Sequence, residues 1–401
     1  MASLSFKLIL KKSLIGFTLL LVIAYILARI YVPEIADKRF NTVLHPAPYI
    51  VSEKAEKLYQ SLDFISDLHS DVLLWDRDIN RRHQYGHEDI PRMIEANIAL
   101  QAFTIVNKIP QELNFDRNSD QSDMITLSFI IQGRPMSSWF DLTQRVVVQS
   151  QSLHRFAEES QGQLTVIKTK QDLQNYLLAR QSNKKLTAGF LGIEGAQALV
   201  GKMENLDVVY KAGVRMIGLT HFFDNEVGGS THGIEKGGLT EFGQQLISKM
   251  EDKHILVDLS HASPKLIDDV LSIASKPILV SHSGVKGTCN NVRNLSDKHL
   301  KQIAKTGGVV GIAMFKKAIC GTQASDVAKA IKYAVDLIGS QHVGLGSDFD
   351  GAIASVFDVT GLPQIVDELL KLGMLENDIR LIMGENVKRV LLENLPDEAS
   401  Q

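Results

Sequence analysis

Eight short apolar runs recur along the chain, each followed by polar or glycine residues and then by a stretch of helical period. They cover residues 64–68, 98–106, 188–193, 214–219, 255–259, 277–280, 308–314 and 342–345. Continuous rather than alternating apolar runs mark strands covered on both faces, and strands that alternate with helices build parallel sheets. Eight such units predict a (β/α)8 barrel of TIM type rather than an open doubly wound sheet. The intervening helices are expected at 141–159, 170–180, 205–212, 240–253, 264–274, 296–306, 324–338 and 362–372, with a last helix over 377–394. Ser263-Pro264 and Ser296-Asp297 carry helix-start signals, a capping hydroxyl followed by Pro or by an acid in the first turn. A chain of 401 residues with 44% hydrophobic content suits one such barrel with insertions. Residues 107–135 are too long and polar for a simple loop and are expected to be an insertion over the barrel mouth after the second strand.

The first residues differ in kind. Lys7, Lys11 and Lys12 precede an uncharged stretch from 13 to 28. Arg29 can snorkel, and Ile30, Tyr31 and Val32 extend the apolar length to the ~20 residues that span a bilayer. Residues 1–32 are therefore expected to be a cytoplasmic tip and transmembrane anchor, 33–56 a linker, 57–395 the barrel and 396–401 a polar tail. No small-x-small site follows the run, so the anchor is expected to stay uncleaved. Lysines ahead of the span favour an extracytoplasmic body, periplasmic or extracellular, although Lys38 and Arg39 beyond it oppose that vote. A net charge of −3 offers no footprint for a nucleic acid. Cys289 and Cys320, the only cysteines, are free thiols in a cytosolic chain and a disulfide candidate in an exported one.

Six of the runs lead into a potential ligand: His69 and Asp71, Glu194, His221, His261, His282, and Asp348 with Asp350. Barrel active sites form on the C-terminal rim of the strands, so all of these are brought to one place. His69 and Asp71 are two apart, hence on the same side of a strand. His261 and His282 come from adjacent strands, and Glu194 can bridge two ions with its two oxygens. Three His and two carboxylates suit Zn²⁺, with Mn²⁺ or Co²⁺ as substitutes. A two-metal site holds a bridging hydroxide and polarises a carbonyl or phosphoryl oxygen. Outside that set, Asp348 can transfer the proton of the attacking water, His221 can stabilise an oxyanion, and Arg293 can clasp a substrate carboxylate. A surface ion pair is the competing role for Arg293.

From about residue 63 to 394 the chain resembles the membrane dipeptidase (renal dipeptidase-like) family. The resemblance rests on Asp67-Leu68-His69-Ser70-Asp71, Gly192-Ile193-Glu194-Gly195, Leu219-Thr220-His221, Val257-Asp258-Leu259-Ser260-His261, Val280-Ser281-His282-Ser283, Asn291-Val292-Arg293-Asn294 and the segment from Gly344 to Gly351 around Asp348. It implies a binuclear zinc site on His69, Asp71, Glu194, His261 and His282, substrate binding by His221 and Arg293, and proton transfer by Asp348. It also implies a Cys289–Cys320 disulfide, a possible homodimer, and hydrolysis of free dipeptides with tolerance of a D-residue at the C-terminal position. Leu68 stands where many members carry Gly, and 107–139 matches no family segment. Vertebrate members hold the membrane by a C-terminal lipid rather than an N-terminal span. Two other readings remain open: an amidohydrolase acting on another amide or a β-lactam, and a non-catalytic membrane-tethered binding protein.

Overall fold

The computed structural model describes residues 2–398. Eight parallel strands form the centre: β1 (Ile65–Ser70), β2 (Ile98–Val106), β3 (Thr187–Glu194), β4 (Val214–Gly218), β5 (Leu256–Asp258), β6 (Leu279–Ser283), β7 (Val309–Ile312) and β8 (Val343–Leu345). Each pairs with the next, and β8 closes on β1 through Leu345 opposite Asp67. The sheet is thus a closed barrel ringed by helices. Every residue of these strands is buried, which is the reason their sequences read as unbroken apolar runs.

The surrounding helices fall where expected and begin on side-chain caps. Thr169, Thr240, Ser263 and Ser296 each accept a backbone N–H from three residues on. The last helix is interrupted. Glu376–Arg380 and Asn386–Asn394 are joined by a wide turn, Leu381–Glu385, in which Gly384 presses on the start of β1. A Cβ at Gly384 would sit 2.4 Å from the Phe64 carbonyl oxygen, so only glycine permits this approach.

Residues 33–56 are not the linker that composition suggests. The first helix, Ala2–Phe40, continues through Pro33, and Thr42–Val43 adds a small strand beside Ala354–Ser355. Ser52 then caps a further helix, Glu53–Gln60. Tertiary contacts override the proline's penalty. Asp37 is buried against Arg77 at 3.0 Å, and Phe40 stacks on Trp75 with ring centroids 6.4 Å apart. The same helix holds a candidate membrane span, Ile9–Phe40. At the other end the tail is docked at its start: Lys170 donates its backbone N–H to Pro396 and pairs with Asp397. Residues 399–401 of the expected tail lie outside the described residues.

Cys289 and Cys320 form a disulfide that joins the loop after β6 to the short helix after β7. The insertion after β2 carries the helix Ile125–Ile131 and is fastened to the loop after β1. Gln132 donates to the Leu74 carbonyl, and Arg134 to those of Leu73 and Trp75.

Candidate metal centre

The strand ends converge as the rim argument requires. His69 lies within β1 and Asp71 just beyond it, with His69 Nε2 3.5 Å from Asp71 Oδ1. Glu194 is the last residue of β3, and four imidazoles gather on it. Its Oε1 lies 3.1 Å from His261 Nε2, 3.4 Å from His282 Nε2 and 3.6 Å from His69 Nε2. Its Oε2 lies 3.1 Å from His221 Nε2. Asp348 closes the set, 3.9 Å from His69 Nε2. Arg293 reaches in from the loop after β6, with Nη2 donating to the His282 carbonyl at 2.6 Å and 3.5 Å from His261 Nε2. All eight residues picked from the sequence are therefore neighbours. His221 is not set apart from the other imidazoles, being nearer Glu194 than His282 is.

His261 and Asp348 adopt left-handed backbone, φ 62° and 64°. This conformation is uncommon for non-glycine residues and costs of order 1–3 kcal/mol unless neighbours enforce it. One such neighbour is Thr231, whose backbone N–H donates to the His261 carbonyl at 2.8 Å. The strain turns both side chains into the mouth immediately after their strands.

A layer of residues to which the sequence reading gave no role sets the proton positions. Asp258 accepts from the backbone N–H and hydroxyl of Ser260 and from the backbone N–H and hydroxyl of Ser281, at 2.6–2.9 Å. Ser281 spends its only proton on Asp258. Its oxygen is then left to accept Nδ1–H from both His69, at 2.9 Å, and His282, at 3.0 Å. One hydroxyl thereby anchors Nδ1–H of both rings: the neutral His282 is fixed in the tautomer whose Nε2 carries a lone pair toward Glu194, and His69 takes the same form once it gives up its Nε2 proton to bind a cation. Thr104 Oγ1 donates to Asp71 Oδ1 at 2.6 Å. Asp67 ties Ser347 and Gln101 together behind β1. His232 flanks His261 with rings 5.2 Å apart, and its Nδ1 lies 2.5 Å from the Phe115 carbonyl, so the insertion seats against the site. Ser281 and Asp258 stood in the sequence only as members of the segments around His282 and His261, without a role, and His232 carried no signal.

No residue of the cluster is more than 7% exposed, so its charges act with little screening by water. Burial, aided by neighbouring cationic groups, drives His221, His261 and His282 well below the usual histidine range, leaving them neutral. Burial opposes a charge on His69 as well, but Asp71 and Glu194 outweigh it and raise that group to about 10. Burial raises Glu194, with Asp71 adding to it, and brings Asp348 up to about 7.

These features fit a divalent cation. His69 Nε2 is wholly buried without a hydrogen-bond partner, and His261 and His282 present Nε2 atoms 3.0 Å apart. His282 has already given its Nδ1 proton to Ser281, so its Nε2 offers only a lone pair. Three overlapping donor groups have ligand spacing: His69, Glu194 and His282; Glu194, His221 and His261; and His69, Asp71 and Asp348. Glu194 belongs to two of them and His69 to two.

Residues 52–399 match the family model for membrane dipeptidase, peptidase family M19. The chain is 27% identical over 348 residues to the dipeptidase aclJ of Aspergillus oryzae, covering 82% of this chain and 77% of that protein. A metallo peptidase from Rhodobacter sphaeroides, solved with a phosphinate mimic of the dipeptide L-Ala-D-Ala, superposes with a TM-score of 0.67 at 25% identity over 82% of this chain and 99% of that one. The dipeptidase AC of family M19 superposes with a TM-score of 0.68 at 24% identity, over 83% and 99% of the two chains, a likeness of fold. The chain belongs to the membrane dipeptidase family, M19, of metal-dependent dipeptidases.

Proposed function

We propose that this chain hydrolyses the peptide bond of free dipeptides, including those with a D-residue at the C-terminal position, at a two-cation centre formed by His69, Asp71, Glu194, His261 and His282. The observation that carries the reading is the convergence of buried, neutral imidazole nitrogens on the two oxygens of Glu194. Nitrogen and carboxylate donors without cysteine suit zinc, with manganese or cobalt as substitutes. Two such ions, when bound, supply a water that is nucleophilic at neutral pH and polarise the scissile carbonyl.

The remaining steps belong to the chain's own groups. Asp348, with a carboxyl near 7, accepts a proton from the attacking water and returns it to the leaving amine. His221, kept neutral by burial, has an N–H to offer the oxygen of the tetrahedral centre. Arg293, anchored on the His282 carbonyl and on Ser283 Oγ, has guanidinium N–H groups left for the substrate carboxylate. A dipeptide places that carboxylate a fixed distance from its single peptide bond, which favours dipeptides over longer chains. Tolerance of a D-residue is supported by the L-Ala-D-Ala mimic held by the related Rhodobacter sphaeroides peptidase.

The N-terminal helix anchors the protein with the barrel on the extracytoplasmic side. Lys7, Lys11 and Lys12 ahead of the span and the disulfide of an oxidising compartment support that orientation. The test is metal analysis of the full-length protein together with a dipeptide panel that includes L-D pairs. Activity lost to a chelator and restored by zinc is expected; a metal-loaded protein inert across the panel overturns the reading.

A further inference from the structure

The insertion after β2 touches the barrel on one side and the N-terminal helix on the other. Tyr25 Oη donates to the Ile130 carbonyl at 3.1 Å, and Arg29 lies against Gly133. Tyr25 is seven residues short of Val32, where the apolar run ends, about 10 Å along the helix axis. A span of ~20 residues therefore places Ile125–Ile131 beside the outer quarter to third of the bilayer's hydrocarbon.

The composition of that segment suits the depth. Ile125–Ile131 reads ITLSFII and carries no charge. Leu127 is 62% exposed, Met136 71% and Phe140 78%, with Met124 also exposed. In water each of these exposed apolar side chains is unfavourably placed, and the helix that carries Leu127 packs against the span. In the headgroup and acyl boundary each covers apolar surface, and Tyr25 and Tyr31 are the aromatic type that favours that boundary.

Resting on the anchor reading above, we propose that residues 124–140 form a second membrane contact, seated in the interface of the bilayer that the N-terminal helix crosses. Because the insertion follows β2 and is fastened to Leu73, Leu74 and Trp75 beyond β1, this contact holds the C-terminal rim of the barrel toward the lipid surface. The occupant of the patch is the bilayer and not a second copy of the chain, since the span that reaches it leaves no aqueous gap at Tyr25.

The experiment uses full-length protein in phosphatidylcholine vesicles. Its two cysteines are paired, so an introduced cysteine is the free thiol for an environment-sensitive fluorophore. Labels go on Leu127→Cys, Met136→Cys, Leu20→Cys in the span, and Leu375→Cys, exposed at the start of the helix whose Arg380 donates to Ser61 ahead of β1. Lipids brominated along the acyl chain are expected to quench positions 20, 127 and 136 and to leave 375 unchanged. Quenching at 20 without quenching at 127 and 136 overturns the membrane contact while keeping the anchor. No quenching at 20 overturns both. A labelled position 127 that is not quenched, together with unlabelled Leu127→Cys that oxidises to a disulfide-linked dimer, assigns the patch to a second copy and overturns the proposal.

Discussion

Replacing Ser281 with alanine tests the proton-positioning role of one hydroxyl. The oxygen of Ser281 is the acceptor for Nδ1 of both His69 and His282, whose side chains are 0% and 1% exposed. Alanine leaves two buried N–H donors without an acceptor and removes one donor from Asp258. Each stranded donor costs about 1–3 kcal/mol in the state that keeps the native tautomer. The imidazoles escape part of that cost by moving the proton to Nε2, which turns a lone pair into an N–H facing Glu194. Either outcome weakens metal binding, and loss of such an outer partner typically lowers affinity 10–100-fold. At about 1.4 kcal/mol per tenfold change, this corresponds to about 1.4–2.8 kcal/mol. Competition against a chromophoric chelator, with wild type and Ser281→Ala side by side, reads the affinity directly. Zinc affinity unchanged within twofold, with the fold intact by circular dichroism, would refute the idea that Ser281 sets the ligand tautomers.

Four further outcomes are expected. Asp348→Asn should lower kcat by about 10²–10⁴ while bound metal stays near wild type, checked by steady-state kinetics and metal analysis. The folded Asp348 carboxyl keeps its proton up to about pH 7, against 3.8 in the unfolded chain, so its ionisation removes stability from the metal-free fold as pH rises between those values. The Asn variant should lose this slope in chelator-treated melts. Zinc affinity should rise with pH, by about tenfold per unit for each proton displaced, because His69, raised to about 10, gives up a proton on binding a cation; a pH-independent affinity from 6.5 to 8.5 would contradict this. Arg293→Lys should raise KM for dipeptides by roughly 10–100-fold through loss of a charge-assisted fork, read against an N-acyl amide without a carboxylate, whose turnover should not change. Replacing Cys289 and Cys320 with serine opens a loop of 31 residues and should cost about 3–4 kcal/mol in urea unfolding.

The barrel was legible because both faces of its strands are buried, so each strand left an unbroken apolar run whose last residues name the rim. Ile98–Val106 and the helix Ala324–Ile338 were read to the residue. The metal cluster was legible for the same reason: β-strand period and barrel closure turn distant positions such as His69 and His282 into neighbours. What failed depended on contacts far apart in sequence. Nothing around Pro33 announces that a helix will run through it, because the cause is Arg77 and Trp75 holding Asp37 and Phe40. The strand Leu164–Val166 is three residues long and pairs only with the first residues of β3, too little to print a pattern. Ser281 and Asp258 act through the protons of other residues, and a serine or an aspartate in a strand looks the same whichever group it orients. His232 gains its place from Phe115, across the insertion, and neither residue reveals the other.

On the anchoring proposed above, the junction between the first helix and the barrel sets a rule for releasing this enzyme from a membrane. Asp37 and Asp350 share the Arg77 guanidinium, at 3.0 and 2.8 Å, and Asp350 is two residues from Asp348 in the same rim loop. A protease cut or an engineered truncation that falls after Asp37 takes away one of the two anions and leaves Arg77, 3% exposed, facing a half-filled socket. Losing one partner of a buried ion pair costs about 3–5 kcal/mol. That loss falls on the loop that holds Asp348, the proposed proton-transfer group, so a form trimmed there should be a damaged enzyme. A form that starts between the end of the apolar run and Asp37 keeps the socket filled, loses the span and should turn over like the parent.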